Sequence, residues 1–292
     1  MIVTDLIGDT PLVQIQNINP NKGVTIYAKL EGQNPGGSVK DRAAYSMIKG
    51  ALDRKEIKSG DRLVEATSGN TGIALAMIAR VMGLHITLLM PENSTIERVK
   101  TMRGYGAEVI LTPSEKTIEY SRQRAEEMSK TDGYHMLNQF ANPDNYKAHY
   151  RTTGPEIWRD TKGRITHFVS SMGTTGTIMG VSRFLKEQRP DIQIVGTQPT
   201  DGSRIPGIRR WSPEYLPKIY QPKRVDRIMD VSSDRAKEVT RMLAEQEGIF
   251  AGVSSGGAMS TALKLASEME EGIIVSIVCD RGDRYLSSDL FQ

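Results

Sequence analysis

The chain has 292 residues, a formal net charge of +3 and a single cysteine. Its length suggests about two domains or one large α/β domain, and its nearly balanced charge does not indicate a nucleic-acid partner. One cysteine excludes an intramolecular disulfide and a multi-cysteine metal centre, and it favours a reducing, cytoplasmic location. The four histidines are widely spaced, so we expect no bound metal. We also expect neither a membrane span nor a signal peptide.

Short apolar strands alternate with helix-like segments along the chain. In the first half, strands are predicted at 24–30, 63–66, 85–90 and 108–111, and helices at 38–54, 71–82 and 114–130. Residues 94–97, Ser-Thr-Ile-Glu, are spelled as a capping box and predict the start of another helix. In the second half, strands are predicted at 168–170, 193–196 and 273–278, and helices at 177–188, 234–247 and 255–269. This alternation predicts an α/β fold with parallel sheets flanked by helices on both faces.

An Asn-Pro-Asp-Asn turn at residues 142–145 marks the expected junction between two domains. In open parallel sheets, ligands bind beyond the carboxyl ends of the strands. The loops near helix starts are therefore where functional residues are expected, and four of them have unusual sequences.

The first of these loops, residues 34–42, reads NPGGSVKDR. Ser38 can cap the following helix, which places Lys40 in its first turn. There the helix dipole disfavours the charged amine and favours the neutral, nucleophilic form that makes a Schiff base. An ordinary surface lysine after a turn is the alternative. A Walker-type phosphate loop is excluded, because a serine follows the glycine at position 37 where that motif needs a lysine.

The other three loops are rich in small polar residues. Residues 67–72, TSGNTG, suit a carboxylate or another anion, or else form a capped tight turn. Residues 173–177, GTTGT, offer backbone N–H groups and hydroxyls to a dianion without any Lys or Arg, and a capped turn is again the alternative. In residues 252–258, GVSSGGA, a serine either binds a ligand ring or only caps the helix.

The four loops together resemble those of one family. The segments PGGSVKDR, EATSGNTGIALA, SSMGTTGTIMG and GVSSGGA, in this order, are similar to the cysteine synthases, pyridoxal-phosphate enzymes of the tryptophan-synthase-β fold. IGDTPL at 7–12 and NQF at 138–140 belong to the same resemblance, which runs from about residue 5 to 287. PGIRRW at 206–211 and CDRGDRYL at 279–286 resemble the B-type branch of the family.

The resemblance implies a role for each site residue. Lys40 would carry pyridoxal 5′-phosphate as a Schiff base and act as the catalytic base, and Asn70 would contact the ring oxygen. Ser254, rather than its neighbour Ser255, would face the pyridine nitrogen. The implied phosphate cradle consists of Gly173, Thr174, Thr175, Gly176 and Thr177. The implied substrate-binding residues are Thr67, Ser68, Gly69, Thr71, Gln139, Arg209 and Cys279.

Two of these assignments have an alternative in the sequence itself. Arg209 and Arg210 are adjacent, which is typical of a solvated surface, whereas the B-type resemblance places them near the entrance of the site. Cys279 ends a predicted buried strand and reads as an inert core thiol, whereas the same resemblance places it beside the site.

The resemblance also implies the architecture and the reaction. Two domains are expected: residues 36–145, with a mobile subdomain at about 86–130, and residues 1–35 together with 146–292. The implied reaction makes L-cysteine from O-acetyl-L-serine and sulfide through an α-aminoacrylate, and thiosulfate would give S-sulfocysteine. A homodimer is implied, and serine acetyltransferase is a candidate docking partner. The alternatives are a cystathionine β-synthase-like core and a non-catalytic, partner-binding homologue.

Overall fold

The computed structural model describes residues 1–292, apart from the side chain of residue 117. The strands are β1 (Leu12–Ile15), β2 (Val24–Leu30), β3 (Arg62–Ala66), β4 (His85–Pro91), β5 (Glu108–Thr112), β6 (His135–Met136), β7 (His167–Ser171), β8 (Gln193–Pro199), β9 (Arg227–Val231) and β10 (Gly272–Val278). The helices are α1 (Lys40–Asp53), α2 (Asn70–Val81), α3 (Ile96–Gly104), α4 (Thr117–Thr131), α5 (Pro143–Arg151), α6 (Thr153–Asp160), α7 (Gly176–Gln188), α8 (Ser233–Glu247) and α9 (Val253–Ser267).

Two sheets organise these elements. The larger sheet has the strand order β1-β2-β10-β7-β8-β9, and the smaller has the order β5-β4-β3-β6. Neighbouring strands are parallel, except that β1 runs antiparallel to β2 at the edge of the larger sheet. The predicted parallel sheets are therefore confirmed, with one antiparallel edge strand added.

The central strand β10 shows how the larger sheet is buried on both faces. Its sequence, GIIVSIV, is rich in β-branched residues, which suits a strand covered on both sides. Ile274 packs in the core that contains residues of α8 and α9, whereas Val275 packs in the core that contains residues of α6 and α7. Because successive side chains of a strand point to opposite faces, helices cover both faces of this sheet.

Two local predictions at helix starts are wrong. The Asn-Pro-Asp-Asn sequence is not an isolated turn but the start of α5, where the Asn142 side chain accepts a hydrogen bond from the Asp144 N–H at 3.0 Å and Pro143 occupies the first helical position. The Ser94–Glu97 capping box does not form. Thr95 is the residue that precedes α3, Ser94 donates to the Pro91 carbonyl at 2.7 Å, and Glu97 accepts from the Ser287 hydroxyl at 2.8 Å.

Other elements were absent from the prediction or shifted by a few residues. Strands β1, β6 and β9 and helices α5 and α6 were not predicted. No helix among the described residues is both long enough and apolar enough to cross a membrane. The expected domain limits and the mobility of residues 86–130 stay predictions.

Candidate active site

A cavity of about 270 Å³ lies where the first turns of α1, α2, α7 and α9 converge. Every site residue predicted from the sequence lines it. These residues are Lys40, Thr67, Ser68, Gly69, Asn70, Thr71, Gln139, Gly173, Thr174, Thr175, Gly176, Thr177, Arg209, Ser254 and Cys279. Four helix N-termini around one space present unpaired N–H groups and the positive ends of four dipoles, which favours an anionic ligand.

Lys40 is the first residue of α1, and the loop before it is anchored to the chain that follows β10. The Val39 N–H donates to the Cys279 carbonyl at 2.8 Å, and Ser38 forms an antiparallel bridge with Asp280. Ser38 does not occupy the cap position, which belongs to Val39, but its hydroxyl accepts from the Lys40 N–H at 3.3 Å. The carboxyl end of the central strand thereby fixes where Lys40 enters the cavity.

The loop between β3 and α2 brings two of the predicted substrate residues into contact. The Thr71 hydroxyl donates to Gln139 Oε1 at 2.7 Å, and both side chains are buried. Gly69 faces open space, because a Cβ added there would have no heavy atom within 4 Å. The start of α2 is thus open toward the cavity, with Gln139 held beside it.

The loop before α7 has the features of an anion cradle. Thr175 has a left-handed backbone, with φ of 69°, and its buried hydroxyl has no partner among the described residues. Thr174 accepts from Asn145 Nδ2 at 3.2 Å, and the Thr177 hydroxyl lies 3.3 Å from His149 Nε2. A buried hydroxyl without a partner calls for a ligand or water to satisfy it, and the strained residue is of the kind found at ligand sites.

Two glycines in this loop are required by close packing. A Cβ at Gly176 would lie 2.0 Å from Asn145 Oδ1, and one at Gly173 would lie 2.6 Å from the Gly207 carbonyl oxygen. No lysine or arginine stands at positions 173–177, so the cradle offers N–H and hydroxyl donors at the start of α7. This donor set fits the phosphate of pyridoxal 5′-phosphate.

The two serines in the loop at residues 252–258 have different surroundings. Ser254, in the first turn of α9, lines the cavity. Ser255 is fully buried, and its hydroxyl accepts from the Cys279 N–H at 2.9 Å. This geometry is compatible with the predicted choice of Ser254 as the ring partner, because Ser255 is already engaged by the backbone.

Burial keeps two titratable groups around the cavity neutral. It raises the pKa of the Cys279 thiol to about 11. Burial and the nearby cations of Arg42 and Lys40 lower the pKa of His149 to about 3. At neutral pH the wall of the site therefore contains a thiol rather than a thiolate, and an uncharged imidazole beside the cradle.

The adjacent arginines have different surroundings. Arg209 lines the cavity, and its N–H donates to the Met172 carbonyl at 2.8 Å. Arg210 instead pairs with Asp230 and donates to the Pro199 carbonyl at 2.9 Å. Both side chains are exposed, but only Arg209 lines the cavity, and its role in binding stays a prediction.

Two further arginines line the cavity and were missed by the sequence reasoning. Arg98 of α3 donates to the Ser68 carbonyl at 3.4 Å and lies 5.1 Å from the centre of the Tyr285 ring. Arg122 of α4 lies 5.0 Å from the centre of the Phe140 ring. Both lie on charged helices, where most arginines are exposed to solvent, so nothing in the sequence indicated that these two line a cavity. Within the described residues, no three His, Cys, Asp or Glu side chains are placed to hold a metal ion.

Comparison with known proteins identifies the family of this chain. Residues 3–280 match the family described as pyridoxal-phosphate dependent enzyme. The chain is 57% identical over 290 residues to cysteine synthase B of Pseudomonas aeruginosa, covering 99% of this chain and 97% of the relative. It is 59% identical over 285 residues to cysteine synthase B of Salmonella typhimurium, covering 98% and 94%. The crystal structure of cysteine synthase from Entamoeba histolytica superposes with a TM-score of 0.94 at 36% identity, over 99% of this chain and 90% of that one.

These matches confirm four predictions made from the sequence: the family, the α/β fold class, the class of enzyme and the pyridoxal-phosphate cofactor. The roles of the individual site residues stay predictions. The chain belongs to the cysteine synthase family of pyridoxal-phosphate dependent enzymes.

Proposed function

We propose that this protein makes L-cysteine from O-acetyl-L-serine and sulfide by β-replacement. The single observation that carries the proposal is the convergence of Lys40, the Thr67–Thr71 loop and the 173–177 cradle in one cavity. The similarity to the bacterial cysteine synthase B relatives supports it. The reaction replaces the acetoxy group on Cβ of the substrate by a thiol group and releases acetate.

In this proposal the cofactor supplies an electron sink for loss of the Cα proton and of the β-leaving group. Lys40 is the residue that would hold the cofactor, and its free amine is the base that takes the Cα proton and later returns it. The cradle at 173–177 would hold the phosphate with neutral donors, and Asn70 would contact the ring oxygen. These contacts would hold the substrate on the cofactor so that its Cα proton lies within reach of the Lys40 amine.

The remaining residues orient the substrate and select the reaction. The loop before α2, with Thr67, Ser68 and Gly69, and Thr71 in the first turn of α2 would bind the substrate carboxylate, and Thr71 holds Gln139 beside them at 2.7 Å. The Ser254 hydroxyl would face the pyridine nitrogen. A hydroxyl stabilises a protonated ring less than a carboxylate does, which favours prompt loss of the β-group over transamination or racemisation.

We further propose that thiosulfate serves as a second sulfur donor and gives S-sulfocysteine. Arg209, Arg98 and Arg122 all line the cavity, and their charges would attract a dianion. Cys279 would border the sulfur donor as a neutral thiol, because burial raises its pKa to about 11.

A product assay tests both proposals. Purified protein is given O-acetylserine with sulfide, thiosulfate or homocysteine in parallel, in the wild type and in Arg209→Ala. Arg210→Ala is the matched control, since Arg210 pairs with Asp230. We expect cysteine and S-sulfocysteine, with only the second reduced in Arg209→Ala. Cystathionine as the main product would favour the cystathionine β-synthase alternative, and a colourless protein without turnover would favour the non-catalytic homologue.

Three properties implied by the family resemblance, together with the location indicated by the single cysteine, belong to the same proposal. They are a homodimer, a cytoplasmic location, docking of serine acetyltransferase, and movement of a subdomain at about 86–130 on substrate binding. Size-exclusion chromatography with light scattering, on the purified protein alone and mixed with the acetyltransferase, tests the assembly. A monomer would contradict the homodimer, and two proteins that elute separately would contradict docking of the acetyltransferase.

A further inference from the structure

The side-chain amide of Asn70 is held from two sides by residues that follow β10. Its Oδ1 accepts a hydrogen bond from Arg284 Nη1, and its Nδ2 donates to Asp280 Oδ2 at 2.7 Å. Asp280 is only 1% exposed, and Asn70, which it contacts, lines the cavity. Neither residue was assigned a role from the sequence.

The chemistry of these two partners fixes which way the amide points. A guanidinium only donates hydrogen bonds, and an ionised carboxylate only accepts them. A rotated Asn70 amide would set its N–H₂ against Arg284 and its oxygen against Asp280, so that both hydrogen bonds would be replaced by repulsive contacts. The orientation of Asn70 is therefore determined by Arg284 and Asp280.

This orientation leaves Asn70 with one free N–H donor for a ligand. A primary amide has one oxygen and two N–H donors. The oxygen is used by Arg284 and one N–H by Asp280, while Asn70 lines the cavity. The second N–H is what the side chain can offer there, so Asn70 acts toward a ligand as a donor.

The same segment also holds the Lys40 loop. Arg284 Nη2 donates to the Gly36 carbonyl, and the Val39 N–H donates to the Cys279 carbonyl at 2.8 Å. The Tyr285 hydroxyl donates to Asp280 Oδ2 at 2.7 Å, which fixes the carboxylate in turn. The loop that carries Lys40 and the amide of Asn70 are thus attached to one short stretch of chain.

We propose that Asp280 and Arg284 are positioning residues that fix Asn70 as a hydrogen-bond donor to the ring oxygen of pyridoxal phosphate. The proposal rests on the proposed function, because it takes the cofactor contact of Asn70 from there. It adds the reason why the Asn70 amide donates a hydrogen bond to the cofactor. It also gives two residues of the CDRGDRYL segment other than Cys279 a role.

The test compares Asp280→Asn, Arg284→Gln and Asn70→Ala as purified holoproteins. The readouts are the visible absorption of the bound cofactor and the dissociation constant of the cofactor. Hydrogen bonds to charged groups contribute enough that we expect about 10- to 100-fold weaker binding in the two positioning variants, together with a changed absorption spectrum. Asp283→Asn and Arg281→Gln are matched controls, since this exposed pair lies in the same segment and is joined at 3.4 Å; we expect both to behave as wild type.

The outcomes distinguish failure of the positioning roles from failure of the proposed cofactor contact of Asn70. If Asn70→Ala changes the spectrum and affinity while Asp280→Asn and Arg284→Gln leave them unchanged, the positioning roles are refuted and the function of Asn70 stands. If Asn70→Ala itself leaves both unchanged, the cofactor contact and the positioning roles fall together. Thermal unfolding of each holoprotein, compared with its control, identifies a variant that has lost its fold. In that case Arg284→Met, which keeps a long side chain but removes every hydrogen-bond donor, is expected to show the same spectral change, and an unchanged spectrum would refute the role of Arg284.

Discussion

Replacing Gly176 by alanine tests how tightly the cradle is built. The new Cβ would lie 2.0 Å from Asn145 Oδ1 and 2.5 Å from its Cγ, so Asn145 would have to move. Asn145 Nδ2 donates to the Gln139 carbonyl at 2.8 Å and to the Thr174 hydroxyl at 3.2 Å. Overpacking costs about 1–3 kcal/mol, and each lost buried hydrogen bond costs about 1 kcal/mol. We expect Gly176→Ala to lower the free energy of unfolding by about 2–4 kcal/mol and to weaken cofactor binding.

Urea unfolding followed by circular dichroism measures the first effect, and titration with pyridoxal phosphate measures the second. Gly104→Ala is the control, because a Cβ added at Gly104, at the end of α3, would have no atom within 4 Å. That variant should keep the wild-type affinity and gain up to about 1 kcal/mol from its higher helix propensity. A Gly176→Ala protein as stable as wild type, with unchanged affinity, would refute the argument that Asn145 limits the space at this loop.

Three other predictions concern single side chains. Lys40→Ala should abolish turnover and the visible absorbance of the bound cofactor, which a spectrum and a cysteine assay check together; a variant that keeps both would end the assignment. Thr175→Val, nearly isosteric, should weaken binding of pyridoxal phosphate about tenfold, as expected for one lost hydrogen bond of about 1.4 kcal/mol, while urea unfolding without the cofactor shows unchanged stability. Burial raises the pKa of Glu65 from 4.5 to about 7, so between these pH values the folded protein keeps a proton that the unfolded chain has lost, and the free energy of unfolding falls as the pH rises. Glu65→Gln cannot titrate and should remove up to about 3 kcal/mol of that fall. Urea unfolding at a series of pH values measures it, and the same dependence of the free energy of unfolding on pH in both proteins would contradict the prediction.

The sequence predicted most of the regular structure because hydrophobic period and helix propensity agree along this chain. Strand β2, with its apolar alternation from Val24 to Leu30, was predicted with its observed limits. Helices α5 and α6 were not, because their sequences, PDNYKAHYR and TGPEIWRD, hold glycine, proline and few apolar residues. Tertiary packing of α5 against α1 and α7 compensates for that weak propensity.

The candidate site was predictable for a different reason. Residues such as Lys40 and Gly173 stand in loops whose composition is unusual, and the resemblance supplied their order, so all predicted positions line the same cavity. Arg98 and Arg122 could not be found in this way, because their approach to the cavity depends on how the smaller sheet lies against the larger one. Asp280 and Arg284 were visible as part of a motif, but the direction of their hydrogen bonds to Asn70 is a property of the folded chain alone.

The distribution of charge in the fold gives a physical reason for a neutral cradle. In the protein interior, Arg42 and Lys29 are buried and are compensated by Glu31 and Glu156, with Arg42 Nη1 2.6 Å from Glu156 Oε1 and Lys29 Nζ 2.7 Å from Glu156 Oε2. Breaking such a network would leave a buried charge unpaired, at a cost of about 3–5 kcal/mol. A phosphate held by free N–H and hydroxyl groups does not compete with these carboxylates for a cation. In the proposed reaction, the arginines that line the cavity on α3, on α4 and after β8 would then be left to attract anionic substrates and products.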